Sequence, residues 1–157
     1  GAAKLGMHFV AMGPEELAKQ MDKDVVNSTF AEARENGGLI EITDNKADLK
    51  GADVIYGDVW ASMGEEAQIP ERVRLLSPFR VTEETLKATE NPDVLYLHCL
   101  PSFHDFETKM AKEWHDKGVD IREVTDEVFR SRHSAVFDEA ENRMHSIKAI
   151  MVATIGK

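Results

Sequence analysis

Short apolar runs and amphipathic stretches alternate along this chain. Residues 7–12, 39–42, 53–56 and 94–98 are brief apolar segments, mostly bounded by Gly, Pro or Asp, as buried strands are. Gly13-Pro14-Glu15-Glu16 opens a helix, since Pro suits the first helical position and acids suit the positive helix end. A helical stretch through Phe30 and Ala33 stops at Gly37-Gly38. Asp44 is placed to cap a brief helix over 47–49, closed by Gly51. Thr82 caps a helix reaching Leu86, and 108–115 reads as a polar helix ending before Gly118. Residues 121–124 read as a fifth strand, and Thr125 begins another turn. Residues 57–79 are irregular apart from one helical turn at 71–76; loops of that length act as lids or binding loops. The chain closes on a helix over 134–155, roughly 30 Å long at 1.5 Å per residue. Its apolar positions Phe137, Ala140, Met144, Ile147, Met151 and Ile155 fall at steps of three and four. Strands separated by helices predict βαβ units: an α/β, three-layer sandwich with a mainly parallel sheet, in one domain over 1–157.

Composition narrows the function. A net charge of -10 argues against a nucleic-acid binder, which would show a basic face. No apolar run is long enough to span a bilayer, so no membrane partner is expected. The single Cys99 excludes an internal disulfide and fits a reducing, cytoplasmic setting. Residues 1–6 read as the last turn of a helix with a Gly cap, which predicts a chain truncated or processed upstream.

The chemistry sits at two strand exits. Asp58-Val59-Trp60-Ala61-Ser62-Met63-Gly64 follows one apolar run and His98-Cys99-Leu100-Pro101 follows another. The carboxyl edge of a parallel sheet is where ligands bind, so one shared pocket is predicted. Asp58 serves equally as an ammonium-binding carboxylate or as a turn cap. Ser62 lacks the spacing of a nucleophile elbow; it is a hydrogen-bonding group or part of an ordinary surface loop. His98 and Cys99 are adjacent in a strand and point to opposite faces, so they do not make a catalytic pair. Cys99 reads either as site residue or as small buried hydrophobe. Pro101 fixes the strand exit, where a cis bond is compatible. His98, Cys99 and His104 do not match structural zinc spacing, and no metal is expected. Arg143 is either an anion clamp or the partner of Glu139, four residues back. No dinucleotide fingerprint or Walker A segment is present.

Four segments together resemble the ornithine-binding, C-terminal half of the ornithine carbamoyltransferase family. They are Asp58 to Gly64, His98 to Pro101 with Phe103-His104-Asp105, Glu123 to Phe129, and Val136 to His145, in the family's order. The resemblance implies a Rossmann-like fold and transfer of a carbamoyl group from carbamoyl phosphate to L-ornithine, giving citrulline and phosphate without a cofactor. It implies that Asp58, Ser62 and Met63 hold ornithine. It implies that Cys99, Leu100 and Arg143 border carbamoyl phosphate, with Cys99, Arg143 and Asp58 the catalytic set. The family's Ser-Thr-Arg-Thr and His-Pro-x-Gln segments do not occur here. The N-terminal carbamoyl-phosphate domain is therefore expected to be a missing partner, and this chain alone to be inactive in citrulline synthesis. The parent is expected to be a trimer-based homo-oligomer. Two alternatives stand beside this: a carbamoyltransferase for another amine such as putrescine or an acylated ornithine, and a non-catalytic amino-acid-binding or interaction module.

Overall fold

The computed structural model describes residues 1–61 and 64–156. They divide into two units, Gly1–Lys50 and Gly51–Lys157.

In the first unit a 3-10 turn, Ala2–Leu5, ends at Gly6, whose φ of 66° is the left-handed cap expected there. A Cβ on Gly6 would also lie 2.5 Å from the Asn36 carbonyl oxygen, so space as well as conformation demands glycine. Strand β1, His8–Met12, pairs in parallel with β2, Leu39–Thr43, from His8 opposite Leu39 to Met12 opposite Thr43. Helices α1, Glu15–Ala18, and α2, Lys23–Glu35, make the crossover that a parallel pair requires. The Asp22 carboxylate starts α2 by accepting from the Asp24 and Val25 N–H groups. The brief helix after β2 is a 3-10 turn, Lys46–Leu49, and its cap is Asn45 rather than Asp44. The turn begins at Lys46, so the residue just before it is Asn45, whose Oδ1 accepts the Ala47 N–H.

The second unit repeats the logic. Strand β3, Val54–Gly57, runs parallel to β4, Leu95–His98, with Val54 opposite Leu95 and Gly57 opposite His98. Between them lie α3, Ile69–Leu76, and α4, Glu83–Ala88. Thr82 caps α4 in a reciprocal box with Thr85. Helix α5, Lys109–His115, is capped by Thr108; α6, Asp126–Phe129, follows Thr125; and α7, Val136–Ile155, closes the chain. Val94, Tyr96, Val124, Val128 and Val136 are buried, and a second cluster gathers Ile69, Ala111 and Ile121. Both described pairings are parallel, as an α/β fold built from βαβ units demands.

Residues 121–124 do not form the expected fifth strand; a single parallel bridge joins Val81 to Val124. Two causes are visible. Val81 is followed at once by the Thr82 cap, leaving no chain to extend a ladder. The Arg122 and Asp120 carbonyls that a strand would offer accept from the Arg80 guanidinium instead. The long helix begins at Val136 rather than 134, because Ser134 bridges Tyr96 and the backbone is tied to β4 through Tyr96 N–His133 O and Ala135 N–Tyr96 O. Along α7 the apolar stripe is open: Phe137, Met144, Ile147, Met151 and Ile155 are all exposed. No described helix is long and apolar enough to cross a membrane.

Candidate functional site

Gly57 and His98 end β3 and β4 side by side, so the next residues of each strand leave the sheet together. Asp58 and Cys99 meet there: the Cys99 thiol donates to Asp58 Oδ1 at 3.1 Å, and the same oxygen accepts the Val59 N–H at 2.9 Å. Burial and then the Asp58 carboxylate push the thiol pKa up, so the sulfur stays protonated around neutrality. The thiol is thus a donor and Asp58 the acceptor of the pair. Replacing Asp58 with Asn removes a negative neighbour of the thiolate and lowers that pKa. The pH profile of Cys99 alkylation by iodoacetamide should then move to lower pH in Asp58→Asn; an unmoved profile would disprove the coupling.

His98 is 1% exposed, and although alternation along the strand predicts opposite faces, its Nδ1 comes within 4.0 Å of the Cys99 thiol. Its Nδ1 accepts the Leu100 N–H at 2.9 Å, which leaves the proton on Nε2. Nε2 lies 3.4 Å from Glu123 Oε1 and faces it without a hydrogen bond. Glu123 Oε1 accepts the Phe103 N–H at 2.8 Å. The Leu100 φ of 48° is unfavourable for a residue with a Cβ, and the imidazole bond helps hold it. The Leu100–Pro101 peptide is cis. Tyr96, fully buried, has its pKa raised by burial and by the Glu123 charge. Gly57 makes room for this layer: a Cβ there would sit 2.6 Å from the Tyr96 hydroxyl and 2.8 Å from His98 Cδ2.

Two clefts open on the Cys99–Leu100 turn. One, of about 620 Å³, is lined by Tyr56, His98, Cys99, Leu100, Glu139 and Arg143 among others. It brings the three residues expected to border carbamoyl phosphate, Cys99, Leu100 and Arg143, to one place. The Arg143 guanidinium has no side-chain partner among the described residues, because Glu139 is engaged elsewhere: Oε1 accepts the Tyr56 hydroxyl at 2.6 Å and Oε2 the His98 N–H at 3.1 Å. The other cleft, of about 400 Å³, is mostly apolar, with Trp60, Ile69, Leu100, Pro101 and Phe103 on its walls and Glu123 at one side. Arg80 lies 5.5 Å from the centre of the Trp60 ring and pairs with Asp120 at 3.0 Å, anchoring the loop that follows Asp58. Ser62 and Met63, expected to hold ornithine, lie outside the described residues.

His104, Asp105 and Asp126 place three potential metal-ligand atoms within 4.8 Å. Arg130 already supplies a cation there, bonding Asp126 at 2.8 Å and standing 3.5 Å from Asp105, while His104 stacks on Phe129. Sequence reasoning missed Tyr56, Glu123 as a side chain, and the true partners of Glu139. The alternation that exposes Tyr56 on β3 was a usable signal; nothing in the sequence linked Glu123 to the Phe103 backbone.

The sequence profile of the aspartate/ornithine carbamoyltransferase Asp/Orn-binding domain matches residues 1–154. The chain is 56% identical over 160 aligned residues to the ornithine carbamoyltransferase of Clostridium perfringens SM101, covering all of this chain and 48% of that protein. It is 51% identical to the catabolic ornithine carbamoyltransferase of Bacillus licheniformis, covering 99% of this chain and 47% of the relative. It superposes on the ornithine carbamoyltransferase of Pyrococcus furiosus with a TM-score of 0.76 and 37% identity, over 96% of this chain and 42% of that structure. The chain thus spans about half the length of the curated relatives it matches. With the profile matching nearly every residue, this chain belongs to the aspartate/ornithine carbamoyltransferase family, as its Asp/Orn-binding domain.

Proposed function

We propose that this chain is the ornithine-binding half of an ornithine carbamoyltransferase. The observation that carries the reading is the one cleft that Cys99 and Leu100 share with Arg143, which has no side-chain partner among the described residues, with Asp58 bonded to Cys99. In the proposed reaction the neutral δ-amine of L-ornithine attacks the carbamoyl carbon of carbamoyl phosphate. A C–N bond forms, the carbamoyl C–O bond breaks, phosphate departs and the amine loses a proton, giving L-citrulline. Arg143 is suited to the carbonyl oxygen, where negative charge grows in the transition state. Asp58 is an acceptor for an ammonium or amine N–H, whereas a thiol held protonated is poorly suited to act as base. Ser62 and Met63 are proposed to complete the amino-acid contacts. The second carbamoyl-phosphate contacts are proposed to come from a partner domain outside this sequence, leaving this chain alone inactive. The parent is proposed to be a trimer-based homo-oligomer in the cytoplasm, a setting the lone cysteine suits.

Free ornithine is favoured over an acylated substrate. The curated relatives at 50–56% identity are ornithine carbamoyltransferases, whereas among solved structures an ornithine and an N-acetyl-L-ornithine transcarbamylase both stand at 25%. The test is carbamoyl transfer by the full-length protein to L-ornithine, N-acetyl-L-ornithine and putrescine. Citrulline formed from ornithine at a kcat/KM at least about 10²-fold above the other two supports the proposal. Equal or better use of putrescine would sink it.

A further inference from the structure

Helix α7 carries a pair that ordinarily neutralises itself. Glu139 and Arg143 stand four residues apart with the acid first, the favourable order for a helix ion pair. Elsewhere this chain uses that spacing: Glu15 with Lys19, Glu83 with Lys87, and Lys109 with Glu113. At 139 and 143 no such pair forms among the described residues.

The reason lies in how α7 meets the sheet. Backbone bonds tie Tyr96 of β4 to His133 and Ala135. Two residues further on, the His98 N–H takes the Glu139 carboxylate, at 3.1 Å, in place of a backbone oxygen. Tyr56 sits opposite Leu97 in the β3–β4 register, and its hydroxyl reaches the other carboxylate oxygen at 2.6 Å. Both Glu139 oxygens are thereby engaged on the sheet side. The bond to Glu139, then burial, pushes the Tyr56 pKa up to about 12, so the hydroxyl remains a donor across the neutral range.

We propose that Tyr56 is a positioning residue that withholds Glu139 from Arg143 and so keeps the guanidinium available to the anion in the cleft. The proposal rests on the reading of that cleft as the carbamoyl phosphate site. Without the hydroxyl, Glu139 Oε1 loses its donor. One turn along the helix, the Arg143 guanidinium is at the spacing that can reach that oxygen. An internal ion pair would compete with the ligand for the same N–H groups.

The test uses the full-length protein and calorimetric titration with carbamoyl phosphate, with inorganic phosphate as a second probe. Tyr56→Phe should weaken binding about 3- to 10-fold, an effect between that of a modest helix ion pair and that of one charged hydrogen bond. Glu139→Gln alone should bind no more weakly than wild type. The double variant Tyr56→Phe/Glu139→Gln should return to the Glu139→Gln level, because an amide does not neutralise Arg143. In the absence of ligand, the Arg143 Nε–H resonance should move in Tyr56→Phe and return in the double variant. A double variant as weak as Tyr56→Phe, or a Tyr56→Phe that binds like wild type, overturns the proposal while leaving the cleft reading intact. Wild-type protein that binds neither anion overturns both.

Discussion

Arg143→Gln in the full-length protein is expected to lower kcat/KM for carbamoyl phosphate by about 10²–10³-fold, the usual loss when one donor to a developing oxyanion is removed. The expectation comes from what surrounds the guanidinium. It lines a cleft with Cys99 and Leu100, and the carboxylate best placed to neutralise it is bonded to Tyr56 and His98. The cation is therefore left without a side-chain partner among the described residues. How the loss divides between parameters tells where the contact acts. An arginine bound only to the phosphate would raise KM and spare kcat; one bound to the reacting carbonyl would lower kcat. The second pattern is expected. Arg143→Lys should recover only part of the activity, since an ammonium keeps the charge but loses the planar fork. Activity of Arg143→Gln within about twofold of wild type would remove Arg143 from the chemistry.

The residues that turned out to surround that cleft were unequally legible. The four strands read from apolar runs appear, within a residue or two, as β1 to β4, although β1 and β2 bury no residue and β3 and β4 bury only alternate ones. The caps at Asp22, Thr82 and Thr108 are local hydrogen bonds, and the one at Thr82 was read directly from sequence. The fifth strand failed because Arg80, more than 40 positions before Arg122, takes the carbonyls a neighbour would need. No window of local sequence contains that competition. Cys99, Leu100 and Arg143 were found by motif, and their geometry agrees with a shared site. Of the two readings left open for Arg143, the pairing with Glu139 fails for the same reason as the strand. Spacing along α7 favours Arg143, yet Tyr56, 83 positions away, takes the oxygen. Local rules describe what a residue would do alone with its neighbours, and the site is made of the places where a distant partner wins.

Glu123→Ala is expected to destabilise the fold by about 3 kcal/mol, measured as a shift in the urea midpoint at unchanged m-value. Glu123 is 4% exposed and touches the functional turn from behind. Its carboxylate accepts the Phe103 N–H and faces His98 Nε2, while His98 Nδ1 in turn holds the Leu100 N–H and with it the positive φ of Leu100. Truncation leaves a buried N–H without an acceptor and a void where the carboxylate stood, costs that add. Glu123→Gln keeps one acceptor oxygen and nearly the same volume, so about 1 kcal/mol is expected there. An opposing term exists: Glu123 Oε2 is buried with no hydrogen-bond partner among the described residues, and burying that charge costs free energy. The sign of the balance is decided by the Phe103 N–H, which only an acceptor at position 123 can serve. Had the desolvation of Oε2 outweighed them, Glu123→Ala would lie within about 0.5 kcal/mol of wild type, and that result would reverse the assignment of Glu123 as the support of the Cys99–Pro101 turn.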